Sequence, residues 1–68
     1  MSKSRHFAVD YWVVGLNEIK TMACFVDEPS NEIFAELIAR RLLLTAGEIG
    51  VYHFIEQERP RASYNRRL

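Results

Sequence analysis

The alternation of apolar side chains near the start of the chain constrains the fold most. The stretch RHFAVDYWVV at residues 5–14 is rich in the aromatic and β-branched types that suit a pleated, half-buried surface. The next residues, GLN at 15–17, suit a hairpin loop because glycine and asparagine both tolerate a positive φ. Residues 18–26 have the composition of a second strand. The sequence therefore predicts a β-hairpin as the first structural unit.

A short hairpin loop also predicts which side chains face each other. A loop formed by residues 15–17 sets Val14 opposite Glu18, and counting outward pairs Phe7 with Phe25. The other pairs on this inward face are Val9 with Ala23, Tyr11 with Thr21, and Val13 with Ile19. A slip of one residue would exchange the two faces of a strand, so this register is a strong commitment.

One helix is predicted over residues 31–45. Pro29 ends the second strand because it cannot donate to a ladder, and Ser30 is a preferred N-cap residue. The apolar residues at helical spacing are Ile33, Phe34, Leu37, Ile38 and Leu44. Arg41 falls in the same stripe, where its stem can cover apolar surface while its head reaches water. Gly47 is expected as the left-handed residue that ends the helix.

A third strand is predicted over residues 49–56, and its two faces are ambiguous. Ile49, Val51 and Ile55 share one face with His53, whereas Tyr52 and Phe54 share the other. We expect the aliphatic set to point inward. The predicted fold is then α+β with the order β-β-α-β, a three-stranded antiparallel or mixed sheet of strand order 2-1-3, and one helix packed on one face.

Composition limits the chain to one small domain in a reducing compartment. A chain of 68 residues buries only about 60% of its unfolded surface, so it is marginally stable alone. Its single cysteine, Cys24, excludes an internal disulfide and suits the cytoplasm. The first residues lack the apolar core of a signal peptide, and no apolar run is long enough to span a membrane.

The formal charge is zero but is unevenly distributed. Residues 1–57 hold five Lys or Arg and eight Asp or Glu, a balance of −3, whereas residues 58–68 hold four Arg and one Glu, a balance of +3. We therefore divide the chain into a folded domain at 1–57 and a basic, disordered tail at 58–68.

The first hairpin carries a resemblance to known proteins. HFAVDY at residues 6–11, followed by Gly15 and a second strand, resembles the opening of short uncharacterised bacterial proteins of pseudomonad type, which form families of unknown function. The resemblance covers this hairpin alone. It implies a bacterial, cytoplasmic protein without an assigned activity, and it carries no functional residue over to this chain.

The face turned away from the helix is the predicted interaction surface. The predicted register puts apolar and aromatic side chains there, with charges between them. The residues expected to contact a partner are Trp12, Met22, Val26, Tyr52 and Phe54. Single exposed apolar residues are ordinary, and the tail could fold back to cover these. A contiguous patch is typical of association, so we expect a homodimer or another protein as the partner.

Two chemical alternatives are weaker. The predicted register sets Cys24 diagonally across from His6 and Asp10, which together supply the components of a cysteine nucleophile site. Nothing there supplies an oxyanion hole, and a flat sheet lacks the concavity of active sites. Cys24, His6 and His53 also lack the paired spacing of zinc ligands. We therefore predict no enzymatic activity, no cofactor and no metal.

Nucleic-acid binding is the remaining alternative. Tyr52 and Phe54 at alternate strand positions could stack bases, as the aromatic residues of RNA-recognition modules do. The tail residues that could contact phosphates are Arg59, Arg61, Arg66 and Arg67. The acidic domain disfavours this alternative, because phosphate contacts supply most of the affinity for nucleic acids.

Overall fold

The computed structural model describes residues 4–58, which form one sheet and one main helix. The elements are β1 (Arg5–Val13), β2 (Lys20–Val26), α1 (Asn31–Leu42), a single turn of 3-10 helix (Ala46–Glu48) and β3 (Ile49–Gln57). The strand order is β2-β1-β3, and β1 runs antiparallel to both neighbours. The predicted α+β class, element order and sheet order are confirmed. The predicted tail lies outside the described residues from position 59 onward.

The helix begins as predicted and ends earlier. The Ser30 hydroxyl accepts a hydrogen bond of 3.1 Å from the Ile33 N–H. At the other end, Leu43 adopts the left-handed conformation with φ 60°, its N–H bonds the Arg40 carbonyl, and the Leu44 N–H bonds the Ala39 carbonyl. These two bonds form the Schellman pattern that closes a helix. The prediction that Gly47 plays this role was therefore wrong.

The hairpin register differs by one residue from the prediction. Phe7 pairs with Cys24 and not with Phe25, and the whole ladder shifts accordingly. The cause is a longer loop, because β1 ends at Val13 and β2 begins only at Lys20. Inside this loop, Gly15 has a φ of +93°, and the backbone N–H of Val14 bonds the Glu48 carbonyl at 2.8 Å. Val14 is thus unavailable for the pairing that a three-residue loop would require.

A β-bulge changes the face assignment of β3 part-way along the strand. Asp10 pairs with His53 but Tyr11 pairs with Val51, so Tyr52 is an extra residue without an opposite partner in β1. Ile49 and Val51 point inward, as predicted, because they precede the bulge. Beyond it the parity reverses: Phe54 packs against the core, and Ile55 is 53% exposed. The prediction that Ile55 points inward and Phe54 outward was therefore wrong.

The core lies between α1 and the inner face of the sheet. Its buried residues are Phe7, Val9, Tyr11, Cys24, Val26, Phe34, Ile38, Ala39 and Ile49. At its centre the ring of Phe34 lies 5.4 Å from that of Phe7 and 4.8 Å from that of Phe54, measured between centroids. Aromatic pairs at such distances add to the stability that area burial provides. Of the predicted helix stripe, Phe34 and Ile38 are buried in this core, Leu37 and Leu44 pack against it, and Ile33 is 38% exposed.

Two arginine side chains form hydrogen bonds beside this core. Arg5 forms a forked contact with Glu56, with Nε to Oε2 at 3.0 Å and Nη2 to Oε1 at 2.8 Å. Arg41 lies exposed at the helix end and donates a hydrogen bond from Nη1 to the Ala23 carbonyl at 3.2 Å.

Within residues 4–58, no helix has the length and apolarity that crossing a membrane requires.

Candidate functional site

The sheet face opposite α1, here called the outer face, is not covered by any element within residues 4–58. The strand alternation and the observed ladders define its residues. They are His6, Ala8, Asp10 and Trp12 on β1, Thr21, Ala23 and Phe25 on β2, and Gly50, His53, Ile55 and Gln57 on β3. The cross-strand pairs form rows, such as Thr21–Asp10–His53 and Ala23–Ala8–Ile55. Neighbouring rows place small residues beside large ones.

The composition of the outer face is unusual for a sheet surface in contact with water. Among its paired residues in the described strands, Asp10 is the sole carboxylate, and no lysine, arginine or glutamate is present. Three large apolar side chains are exposed there: Trp12 at 38%, Phe25 at 50% and Ile55 at 53%. A solvated antiparallel sheet face is normally polar. The outer face therefore has the character of a contact surface.

The one carboxylate of this face is already engaged. Asp10 accepts a hydrogen bond from the Thr21 hydroxyl at 2.7 Å, and its other oxygen lies 3.0 Å from Nδ1 of His53. Both partners stand directly opposite Asp10 in the ladders. The result is a polar row across the middle of the sheet with few unsatisfied groups, which lowers the cost of covering it.

His6 and Phe25 form a stacked aromatic pair at one end of the outer face. Their ring centroids lie 4.7 Å apart, and the ring planes are inclined by only 11°. Nδ1 of His6 is covered and has no hydrogen-bond partner within residues 4–58. The pair adds aromatic surface to this end of the outer face, where Phe25 is half exposed.

Trp12 occupies the other end, where it depends on a glycine. A β-carbon built at Gly50 would coincide with the indole ring of Trp12. The ring therefore lies flat over the backbone of β3, in the position that the missing side chain leaves free. This packing of an aromatic ring over a strand glycine fixes the indole on the outer face.

The structure separates the five predicted partner-binding residues into two groups. Trp12 lies on the outer face, as predicted, and Tyr52 at the bulge is 66% exposed. Val26 is buried, and Met22 and Phe54 pack against the core, so these three cannot contact a partner on the outer face. The prediction misplaced Met22 and Val26 because the register of β2 differs by one residue, and it misplaced Phe54 because of the bulge in β3.

Sequence reasoning missed Phe25 and Ile55 for the same two reasons. The register of β2 follows from loop length, and the faces of β3 follow from the bulge. The sequence did hold one signal: Cys24 and Val26 are typical core residues, and placing them inward requires Phe25 to point outward. That choice corresponds to the observed register.

The proposed cysteine constellation does not form. Cys24 is 1% exposed beneath the helix, whereas His6 and Asp10 belong to the opposite face, so the sheet itself separates them. Burial raises the pKa of the Cys24 thiol, an effect that the nearby Arg41 partly opposes. Within residues 4–58, no three His, Cys, Asp or Glu side chains are grouped closely enough to hold a metal ion.

The base-stacking pair proposed for nucleic acid is likewise divided. Phe54 packs on Phe7 and Phe34 in the core, whereas Tyr52 projects from the bulge. The four tail arginines, Arg59, Arg61, Arg66 and Arg67, lie outside the described residues. Of the two aromatic residues on which the nucleic-acid alternative was based, only Tyr52 is exposed.

Comparison of the chain with protein-family models, with curated proteins and with solved structures finds no match. The resemblance of the first hairpin to short bacterial proteins therefore stays a prediction.

Proposed function

We propose that this protein is an interaction module that works as a homodimer, pairing with a second copy through the outer face. One observation carries the proposal. The outer face exposes the apolar side chains of Trp12, Phe25 and Ile55, and Asp10 is the sole carboxylate among its paired residues. The free energy falls when apolar surface of this kind is removed from water, so burial of the outer face favours association. A contiguous apolar face on a small domain is typical of an association site.

The size of the domain favours a second copy as the partner. A short chain with one helix on one side of a sheet has a small core, and oligomerisation is a usual means of enlarging it. Twofold pairing lets one surface serve both partners, so no second binding surface is needed. Two sheets packed face to face would convert the outer face into a second core.

The relief of the outer face also suits pairing with itself. Ala8 and Ala23 stand opposite each other and form a shallow region, with Ile55 next to Ala8 on the other side. The ring of Phe25 stands in the row next to this region, and the polar row separates the region from the indole of Trp12. A second copy turned over the face can place its projecting side chains against the alanines. Interdigitation of large and small residues is what close packing between sheets requires.

The polar row is compatible with burial. Both oxygens of Asp10 already have partners, in Thr21 and His53. Covering a polar group costs much less when its hydrogen bonds are made within the same chain. The row would also favour one relative orientation of the two sheets. In other orientations an apolar side chain of the second copy would cover His53, and the imidazole would lose its contact with water without gaining a polar partner.

Sedimentation equilibrium tests this proposal through two substitutions on the outer face. Phe25→Lys and Ile55→Lys each place a charge in the proposed interface and leave the helix–sheet core untouched. We expect both to weaken self-association at least ~tenfold, because each removes an apolar contact and buries an ammonium group. Ile33→Lys is the matched control, since Ile33 is 38% exposed on the opposite side of the molecule.

The outcomes separate clearly. A shift toward lower mass for both outer-face variants, with the control unchanged, supports the proposal. A wild-type protein that remains monomeric at millimolar concentration, or an equal loss in the control, contradicts it.

The proposed setting is the cytoplasm, supported by the free, buried thiol of Cys24.

A further inference from the structure

The polar row of Thr21, Asp10 and His53 crosses the outer face, so pairing of two copies through this face would cover the row in both. In the single chain the row still meets water: the side chain of His53 is 49% exposed and that of Asp10 is 26% exposed. Association would therefore move an ionisable pair from water into a contact between proteins. The free energy of that transfer depends on the net charge of the pair.

The geometry makes His53 and Asp10 one electrostatic unit. Nδ1 of the imidazole lies 3.0 Å from one carboxylate oxygen of Asp10, and the Thr21 hydroxyl donates to the other oxygen at 2.7 Å. A hydrogen bond from Nδ1 to a carboxylate requires a proton on Nδ1, so Nε2 is the atom that gains or loses the second proton. The ladder sets the two residues directly opposite each other.

The net charge of this row changes over an accessible pH range. A histidine commonly changes its charge between about pH 5 and pH 8, whereas an aspartate is ordinarily ionised throughout that range. With a neutral imidazole, the row carries the single negative charge of Asp10. With an imidazolium at His53, the two charges of the pair cancel. Nε2 needs a polar partner in either state, as donor or as acceptor, so this requirement does not distinguish the two states.

The surroundings of His53 hold few other ionisable groups. From β1 the imidazole faces Asp10, and on β3 the ring of Tyr52 stands edge-on to it with the centroids 5.8 Å apart. The paired outer-face residues of the described strands include no lysine, arginine or glutamate, and α1 packs on the other face of the sheet. His6, two rows away, is the other histidine of this face. Its protonation would add an unpaired positive charge, which opposes the effect of His53.

We propose that pairing through the outer face is coupled to protonation of His53, so that the dimer forms more tightly at about pH 5.5 than at about pH 8. This inference rests on the outer-face dimer and adds its regulation. At the higher pH, each copy would bring the uncompensated carboxylate of Asp10 into the same interface, where water no longer screens it. At the lower pH, each row enters the interface as a neutral pair.

The sign of the effect follows from proton linkage. A state that binds more protons is favoured as the pH falls. Each copy in the dimer holds up to one more proton at His53 than the free chain does, so the association constant rises as the pH falls. We expect the wild-type protein to associate at least ~tenfold more tightly at about pH 5.5 than at about pH 8.

Asp10→Asn gives the sharpest test because it should reverse the sign of the pH dependence. The asparagine keeps the size of the side chain and can still accept from the Thr21 hydroxyl, but it carries no charge. Protonation of His53 would then bury an uncompensated imidazolium, so sedimentation equilibrium should show weaker association at the lower pH.

His53→Gln and His6→Gln form a matched pair of variants. Glutamine at position 53 keeps a donor for Asp10 but cannot be charged, so this variant should lose most of the wild-type pH dependence. In His6→Gln the other histidine of the outer face is removed, and the tightening of association at the lower pH should persist. Far-UV circular dichroism at both pH values checks that each variant is folded.

A second measurement uses the wild-type protein alone. Dilution of a concentrated sample in a calorimeter, in two buffers of different ionisation enthalpy, counts the protons that dissociation releases. We expect a net release of protons near neutral pH. A count of zero would overturn the coupling even if no variant could be purified.

The outcomes separate this inference from the dimer itself. Tighter wild-type association at the lower pH, reversed in Asp10→Asn and retained in His6→Gln, supports the coupling. Dimers of equal affinity at both pH values, or the same pH dependence in Asp10→Asn as in the wild type, show that the coupling is wrong while the outer-face dimer stands. A wild-type protein that is monomeric at both pH values overturns the dimer and the coupling together.

Discussion

Gly50 and Trp12 show how strongly one residue can depend on another across a sheet. The indole occupies the space that a side chain at Gly50 would fill. The tryptophan would otherwise have to project into water or turn toward the core. The composition of the outer face is therefore set partly by a residue that contributes no side chain to it.

We predict that Gly50→Ala displaces the indole of Trp12 and lowers the free energy of unfolding by about 1–3 kcal/mol, the usual range for forcing extra atoms into a packed site. Urea denaturation followed by tryptophan fluorescence measures both effects, and we expect the native emission to shift to longer wavelength. Gly47→Ala is the control, because a β-carbon at Gly47 meets nothing within 4 Å. Equal losses in the two variants would show that the ring does not require the glycine.

Phe25 illustrates what a residue-by-residue reading of the sequence misses. Its type is apolar, so a prediction from side-chain character alone places it in the core. The observed position depends on where β2 begins, and that depends on the backbone of Val14 and Gly15 in the loop. A residue's environment in a hairpin is thus a property of the turn as much as of the residue.

At the level of elements, the helix and the sheet order followed from local signals that act within a few residues. Ser30 capped α1 as expected, and the periodic apolar residues Phe34 and Ile38 reached the core. The register error arose where a longer-range contact overrode a local signal, whereas the early end of α1 comes from a local Schellman cap that no glycine marks. The Glu48 carbonyl binds the Val14 N–H, and the Schellman bond to Leu44 ends the helix early. The bulge at Tyr52 has no signal in the alternation of β3.

The turn before β3 carries a pH-dependent contribution to stability. A carboxylate oxygen of Glu48 accepts hydrogen bonds from the Thr45 backbone N–H at 3.0 Å and from the Thr45 hydroxyl at 2.9 Å. These bonds, the backbone one first, lower the pKa of Glu48 below its ordinary value of 4.5. A depressed folded-state pKa stabilises the fold above the unfolded pKa, and this contribution disappears as pH falls through the folded value.

We therefore predict that Glu48→Gln destabilises the protein at pH 7 and that the difference from wild type shrinks progressively below pH ~4.5. Urea denaturation at several pH values between neutral and acid measures this difference. Glu36→Gln is the control, since Glu36 lies exposed on α1 and takes no part in these bonds. A difference that is constant across the pH range would contradict the role assigned to the carboxylate.

For the molecule as a whole, residues 4–58 form a sheet with one face covered by α1 and one face without a covering element. The predicted sheet order was enough to locate an uncovered face before its residues were known correctly. Trp12 was placed there because its position in β1 does not depend on the register of β2. The residues that β2 and β3 contribute to this face could not be predicted, because they depend on the long hairpin loop and on the bulge.

Association through apolar surfaces predicts a characteristic response of the intact protein. The Tm should rise with protein concentration, because binding of a second copy stabilises the native state by mass action. Added salt should leave this association nearly unchanged, whereas binding to nucleic acid through arginines should weaken steeply with salt. Calorimetry at several concentrations and salt levels measures both dependences. A Tm that is independent of concentration would contradict association of folded copies.

The extra residue at Tyr52 has a consequence for how such assemblies can grow. β3 is a border strand of the sheet, and a regular border strand is a template on which further strands can add by backbone hydrogen bonding. The irregularity interrupts that template half-way along, so a further strand cannot add in register along the full length of β3. The bulge thereby guards this border of the sheet against strand addition, in a chain whose outer face is proposed to bind a second copy.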